Sequence, residues 1–162
     1  MKRLELVANI AVIVSSVALL CFLGNAWYAT YHPPQRPEAK ALVGTVVKLP
    51  NVDFGQRGKT LLLAISPTCH FCRDSEPFYR QLANTAGFKT HLLAVLPVPK
   101  SEAETYVHAS ISPSLEIVSA PLRQINVWAT PTLLLIDSHG NVEKAWVGKL
   151  DDVSQRQVQS EL

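Results

Sequence analysis

Hydrophobic residues are arranged in two ways along this chain. Near the N-terminus, a stretch that begins at Leu6 and ends at Leu23 contains no charged residue and only three polar ones. Folded as a helix, this stretch would be about 27 Å long, close to the hydrocarbon thickness of a bilayer. The pattern predicts a single N-terminal transmembrane helix inside a membrane anchor over residues 1–30.

The charges that flank this stretch indicate its orientation. Lys2 and Arg3 precede the apolar run directly, so the positive-inside rule places the rest of the chain on the periplasmic side of the membrane. The alternative is a signal peptide cleaved after Ala26. The run exceeds the ~7–15 residues of a signal h-region, which favours an uncleaved anchor. Cys21 lies within the run and is interpreted as a membrane-embedded structural residue.

A proline-rich segment follows the anchor. Residues 31–41 contain Pro33, Pro34 and Pro37. Clustered prolines favour the semi-rigid polyproline II conformation, which rises ~3.1 Å per residue. The segment is predicted to be a tether that holds a folded domain, residues 42–162, away from the lipid.

In that domain the hydrophobic pattern changes to short runs. Three segments rich in apolar residues predict strands that are buried on both faces of a sheet: residues 60–65, 89–96 and 132–137. Shorter runs predict three further strands: residues 44–49, 115–119 and 142–147. A turn sequence at residues 138–141 joins two of the strands as a hairpin.

Helices are predicted between and after the strands: residues 74–86, 101–109, 121–126 and 151–162. Ser101 and Glu104 have the spacing of a capping box at the start of the second of these helices. The last helix is predicted to be capped by Asp151 or Asp152. This order of elements predicts an α/β fold, a mixed sheet flanked by helices.

Charge and cysteine count exclude several classes of function. The formal net charge is +2, and Lys and Arg form no basic run, which argues against a nucleic-acid partner. Three cysteines, one of them in the apolar N-terminal run, cannot form the disulfide framework of a small secreted domain. The folded part therefore has one pair, Cys69 and Cys72, at a spacing typical of redox chemistry or metal binding.

The cysteine pair follows a buried strand and opens a helix. At a helix N-terminus, the dipole and the unpaired N–H groups stabilise the thiolate that attacks disulfides, here on Cys69. His70 would add positive charge nearby. A zinc site is the alternative, but it needs further ligands, which only distant residues such as His91 and His139 would supply. The context favours redox chemistry with no metal and no other cofactor.

In this context the sequence resembles the thioredoxin superfamily, and within it the membrane-anchored TlpA and cytochrome-maturation-type thiol–disulfide oxidoreductases. The resemblance covers residues 42–162 and implies a thioredoxin-like fold. It rests on the strand before the cysteines, the pair itself, Pro77 five residues after Cys72, and Ala129-Thr130-Pro131-Thr132 before a strand.

The resemblance also implies roles for these residues. Cys69 would be the nucleophile and Cys72 the resolving cysteine, with His70 and Phe71 between them as supporting residues.

Two prolines and a threonine complete the implied site. Pro77 would kink the active-site helix. Thr130 and a cis Pro131 would lie beside the cysteines, where the Thr130 backbone would pair with a client chain as an added strand.

The sequence also departs from the family pattern. Thr68 stands where many members have tryptophan, and Leu63 occupies the strand position of the buried acid that assists the resolving cysteine in thioredoxins. Glu76 is the candidate replacement by proximity in sequence. His70-Phe71 matches neither Gly-Pro, found in strong reductants, nor Pro-His, found in strong oxidants.

Two other functions remain open at the level of sequence. Peroxiredoxin-type peroxidases resemble P-x-x-x-Thr-x-x-Cys; Ser66 fits the hydroxyl position, but Leu62 replaces the proline. Copper-delivery proteins of the same fold usually space their cysteines one residue wider.

The function that the sequence favours is thiol–disulfide exchange in the cell envelope, in the reductase direction. Its expected partners are client proteins with disulfides or thiols, a membrane thiol carrier as electron donor, and the lipid bilayer through the anchor.

Overall fold

The computed structural model describes residues 12–24, 39–85 and 90–162. The chain divides into two compact units, Met1–Arg36 and Pro37–Leu162. In the first unit, residues 12–24 form a helix. Its apolar side chains are exposed, among them Leu20 and Phe22.

The described residues of the helix in the first unit cover only part of the predicted transmembrane segment. That segment begins at Leu6, and its first residues lie outside the described ranges, as does most of the predicted tether. Within the described ranges, the structure has no helix that is both long enough and apolar enough to cross a membrane.

The second unit is built on a five-stranded mixed sheet. Its strands are β1 (Lys59–Ala64), β2 (Thr90–Leu96), β3 (Glu116–Ser119), β4 (Thr132–Ile136) and β5 (Val142–Val147). Their order across the sheet is β3-β2-β1-β4-β5. Strands β1, β2 and β3 run parallel, whereas β4 is antiparallel to both of its neighbours.

The three long apolar runs of the sequence form the three central strands. Leu62 of β1 pairs with Leu93 of β2 on one side and with Leu134 of β4 on the other. All three leucines are fully buried. Their burial explains the continuous hydrophobic runs, because a strand covered on both faces has no solvent side.

Helices surround the sheet. They are α1 (Ala39–Leu42), α2 (Phe54–Arg57), α3 (His70–Asp74), α4 (Glu76–Thr85), α5 (Lys100–Ser110) and α6 (Asp152–Gln159), together with a 3-10 turn at Leu122–Ile125. Leu61 and Leu63 of β1 belong to a core with residues of α4, α5 and α6. Leu62 and Ala64 belong to the core on the opposite face. The mixed α/β sheet predicted from the sequence is therefore confirmed.

Residues 39–41 of the predicted tether belong to helix α1. Leu42 at the end of this helix is 4% exposed and packs in the core with Phe54 and Val142. Burial of one leucine contributes about 1.5–3 kcal/mol, which favours packing of this helical turn on the domain.

The strand predicted at residues 44–49 does not form. This segment makes one isolated bridge, between Val46 and Asn141. The Gly44 N–H donates to the Val142 carbonyl and the Val47 N–H to the Gly140 carbonyl. These partners are the turn residues Gly140 and Asn141 and the first residue of β5, Val142, so the pairing is too short to form a ladder.

The capping box predicted for the second helix does not form. Helix α5 begins at Lys100 and follows Pro99, without a side-chain cap. The N–H groups of Glu102 and Ala103 donate to the Pro99 carbonyl, and Glu104 is near Lys100. Proline fixes φ near the helical value, which allows the chain to enter the helix one residue earlier.

The terminal helix has the predicted cap. The Asp151 carboxylate accepts a hydrogen bond of 2.8 Å from the Ser154 N–H, which satisfies one of the free donors at the start of α6.

Candidate active site

The cysteine pair lies at the carboxyl end of the central strand. Strand β1 ends at Ala64, and Cys69 is the N-cap of α3. The Cys72 N–H donates to Cys69 Sγ over 3.3 Å. Cys72 itself is fully buried, whereas Cys69 is partly exposed. The first sulfur is thus accessible and capped by a helix N–H, and the second is shielded behind it.

The Thr130-Pro131 peptide lies directly beside this pair. Ala64 at the end of β1 is in register with Thr132 at the start of β4. This antiparallel pairing brings the preceding loop to Cys69, whose thiol donates to the Thr130 carbonyl over 3.3 Å. The Thr130-Pro131 bond is cis. The structure therefore brings together residues that are 61 positions apart.

The two sulfurs differ in acidity. Burial opposes ionisation of Cys69, but hydrogen bonds from the side chains of Cys72 and Thr130 and from the N–H groups of Cys72 and Phe71 outweigh it and lower the pKa of Cys69. Burial, followed by the hydrogen bond to Cys69, raises the pKa of Cys72 to about 12. The thiolate therefore forms more readily on Cys69, and at neutral pH Cys72 retains its proton.

His70 and Phe71 are both at the surface. The side chain of His70 is 71% exposed, and its Nε2 lies 3.6 Å from Asp74 Oδ2. Asp74 also accepts a hydrogen bond of 2.8 Å from Lys149 Nζ, which is the main reason that its pKa is lowered. Phe71 is half exposed. Asp74 and Lys149 were not predicted, because only the tertiary fold places the loop after β5 beside α3.

Pro77 lies at a break between two helices. Helix α3 ends at Asp74, Ser75 follows, and α4 begins at Glu76. Proline at this point has no N–H for the helical hydrogen bond to the residue four positions back, so a continuous helix over residues 74–86 is interrupted.

Glu76 does not contact the resolving cysteine by a hydrogen bond. Its Oε1 accepts from the Tyr106 hydroxyl over 3.1 Å. Leu63 is fully buried in β1, as the sequence suggested. The hydroxyl of Tyr79, seven residues after Cys72, is buried without a partner among the described residues. No sequence signal distinguished Tyr79 from an ordinary core residue.

The hydroxyl that a peroxidase would require points elsewhere. Ser66 Oγ lies 3.1 Å from Thr68 Oγ1, and it is the Ser66 carbonyl that accepts the Cys69 N–H. Ser66 thus supports the loop before the helix rather than the reactive sulfur.

Several solved structures have a similar fold, and the names of some of them describe thiol–disulfide interchange, oxidoreductase or isomerase proteins. They include StoA from Bacillus subtilis, with 18% identity and a TM-score of 0.54 over 64% of this chain and 81% of that one. The exposed lipoprotein thioredoxin Etrx1 from Streptococcus pneumoniae has 22% identity and a TM-score of 0.53 over 65% and 86%. A thiol-disulfide isomerase from Corynebacterium glutamicum has 13% identity and a TM-score of 0.56 over 75% and 92%.

No family model and no curated protein sequence matches the chain. At these levels of identity the structural similarity concerns the fold, and the fold of the second unit is thioredoxin-like.

Proposed function

We propose that this chain is a thiol–disulfide oxidoreductase of the cell envelope that reduces client proteins through Cys69 and Cys72. The observation that supports it most is that Cys69 is accessible and has a lowered pKa, whereas the Cys72 thiol next to it is buried. The Cys72 N–H donates a hydrogen bond of 3.3 Å to Cys69 Sγ. A nucleophile in front of a protected resolving thiol is the arrangement that two-step exchange requires.

The reaction has two steps. The Cys69 thiolate attacks one sulfur of a client disulfide, forms a mixed disulfide and expels the other client sulfur as a thiolate. Cys72 then loses its proton and attacks Cys69 Sγ, which forms the Cys69–Cys72 bond and releases the second client sulfur. The pair is oxidised by two electrons and the client is reduced. One proton from Cys72 and one from water complete the two client thiols.

The loop beside the pair would hold the client. Thr130 is in contact with Cys69 through its carbonyl. A client backbone that pairs with Thr130 as an added strand would place its own disulfide next to the nucleophile. Pro131 and the half-exposed Phe71 would border the same surface.

The helix of the first unit supports a membrane location. Residues 12–24 expose apolar side chains such as Val14 and Phe22. The Ser15 and Ser16 hydroxyls both donate to the Val12 carbonyl, so these polar groups are satisfied within the helix, as a lipid environment requires. A membrane-embedded thiol carrier would then return two electrons to the oxidised pair.

Mixed-disulfide trapping tests the assignment of roles. In a Cys21→Ser background, Cys72→Ala is expected to accumulate covalent adducts with disulfide-containing client proteins, since the second step is blocked. Cys69→Ala is the matched control and should form none. Adducts of equal abundance in both variants, or none in either, would contradict the proposal.

A further inference from the structure

A groove leads away from the cysteine pair along one edge of the sheet. Strands β1, β2 and β3 are parallel, so their carboxyl ends lie side by side, where ligands bind in open α/β sheets. The Ile65 N–H donates to the Val95 carbonyl, and the Ala120 N–H donates to the Leu96 carbonyl. Neighbouring strands are about 4.8 Å apart, so the edge from β1 to β3 is about 10 Å long.

The groove begins at the loop that contains Thr130, which is proposed to bind the client, and its lining is mostly apolar. Its first part has a volume of about 430 Å³ and is lined by residues that include Ser66 and Thr130, the two neighbours of Cys69. Its second part shares Pro97 and Pro121 with the first. An extended chain that passes Cys69 can therefore continue into it, and 10 Å corresponds to about three residues.

One cation lies in this apolar lining. Arg123 is the only charged residue among the described residues that line the two parts. Its guanidinium carbon is 5.0 Å from the centroid of the Trp128 ring, and Trp128 is 61% exposed. Arg123 makes no ion pair with the described part of the chain. Stacking on the ring fixes the guanidinium but leaves its N–H edges available for a carboxylate.

We propose that this groove selects client segments in which an acidic residue lies within about three residues of the reactive cysteine, with Arg123 on the Trp128 ring as the specificity-determining pair. The inference rests on the proposed function and names its substrate class. Apolar residues of the client would lie on Pro97 and Pro121, and the carboxylate would accept hydrogen bonds from Arg123. The exchange reaction itself is unchanged.

Two matched peptides test this selectivity. They differ only in Asp or Lys three residues from a single cysteine, which is joined as a mixed disulfide to 2-mercaptoethanol, a neutral thiol. The pre-reduced full chain is mixed with each peptide, and its oxidation is followed by alkylation and mass spectrometry. The Asp peptide is expected to react about fivefold faster, the upper range for one exposed charge pair. Salt at about 1 M should reduce the ratio towards one.

Charge reversal at two arginines distinguishes an effect of the groove from an effect of the overall electrostatic field of the protein. Arg123→Glu is expected to invert the preference, so that the Lys peptide reacts faster. Arg73→Glu makes the same charge change beside Cys72 but outside the groove lining, and it should keep the preference for Asp.

The possible failures are separable. If Arg123→Glu keeps the Asp preference, or if Arg73→Glu inverts it as well, the groove does not select clients and the inference is wrong. If the wild-type chain oxidises with neither peptide and behaves like Cys69→Ser, the proposed function itself is wrong and the inference falls with it.

Discussion

At the residue scale, the surroundings of Cys69 and Cys72 separate two chemically identical side chains. Burial is the largest influence on both, and it opposes ionisation of both. Only Cys69 receives enough hydrogen bonds to overcome it, from the Cys72 and Phe71 N–H groups and from neighbouring side chains. The difference in pKa between the two cysteines therefore follows from their positions at the helix N-terminus, since the residue type is the same.

Alkylation as a function of pH measures this difference. In a Cys21→Ser background, the iodoacetamide reaction of Cys69 should have its midpoint at a lower pH than that of an unperturbed cysteine, because the pKa of Cys69 is lowered. Thiolate forms as the pH rises through the pKa, so Cys72, with a pKa of about 12, should remain unmodified at pH 7–9. Mass spectrometry of peptides locates the label. Faster labelling of Cys72 than of Cys69 at neutral pH would reverse the assigned roles.

The Tyr79 hydroxyl offers a second measurement at this scale. It is buried without a hydrogen-bond partner among the described residues, and such a group costs roughly 1–3 kcal/mol. Tyr79→Phe is therefore expected to leave the free energy of unfolding unchanged or to raise it by about 1 kcal/mol in urea denaturation.

Tyr106→Phe is the matched control for this substitution. It removes a hydroxyl that donates to Glu76 over 3.1 Å, so it should lower stability by roughly 0.5–1.5 kcal/mol. A larger loss in Tyr79→Phe than in Tyr106→Phe would show that the buried hydroxyl has a partner.

At the scale of elements, the sequence predicted best the strands in which nearly every residue is buried. Strands β1, β2 and β4 are continuous apolar runs, and each forms where predicted. The strand at residues 44–49 failed because its pairing, with a turn and the first residue of β5, is too short to form a ladder. Ser101 failed as a cap because Pro99 starts α5 earlier. Strand and capping propensities depend on neighbouring residues, whereas the tertiary fold determines which segment packs or pairs with which.

Two valines of the terminal helix α6 test whether this helix packs on the hydrophobic core. Val158 is fully buried in the core beside Leu63, and Val153 of the same helix is 56% exposed. Val158→Ala is expected to lower the free energy of unfolding by about 1–3 kcal/mol, because it removes buried methyl groups and leaves a cavity.

Val153→Ala is the same substitution in the same helix and should change stability by less than about 0.5 kcal/mol. Equal effects in urea denaturation would mean that α6 does not pack as described.

At the scale of the whole molecule, the stability of the thiolates of Cys69 and Cys72 influences the direction of the redox reaction. A strongly oxidising pair requires a reduced form with a well-stabilised thiolate. In this fold hydrogen bonds lower the pKa of Cys69 in spite of its burial, whereas burial raises the pKa of Cys72 to about 12. The reducing direction therefore rests on the sequence resemblance and is a proposal that the reduction potential tests.

The reduction potential of the full chain in glutathione and dithiothreitol buffers is the corresponding measurement. A value near −270 mV is expected, whereas one near −120 mV would indicate an oxidant. The Cys69→Ser/Cys72→Ser double variant retains Cys21 and corrects for its contribution. The membrane anchor, the client proteins and the thiol carrier remain proposals at this scale.

The sequence by itself determined the central strands and the helix that begins at the cysteine pair. These features depend on hydrophobic periodicity and on short-range spacing, which are properties of neighbouring residues. The cis form of Pro131 was an expectation from the family resemblance, and the structure has it. The tertiary structure alone decided that β4 runs antiparallel to β1, which places Thr130 against Cys69. It also decided the unequal acidity of the sulfurs and the position of Arg123 on Trp128. Contacts and burial of this kind join segments far apart in the chain, and they arise only when the sheet is assembled.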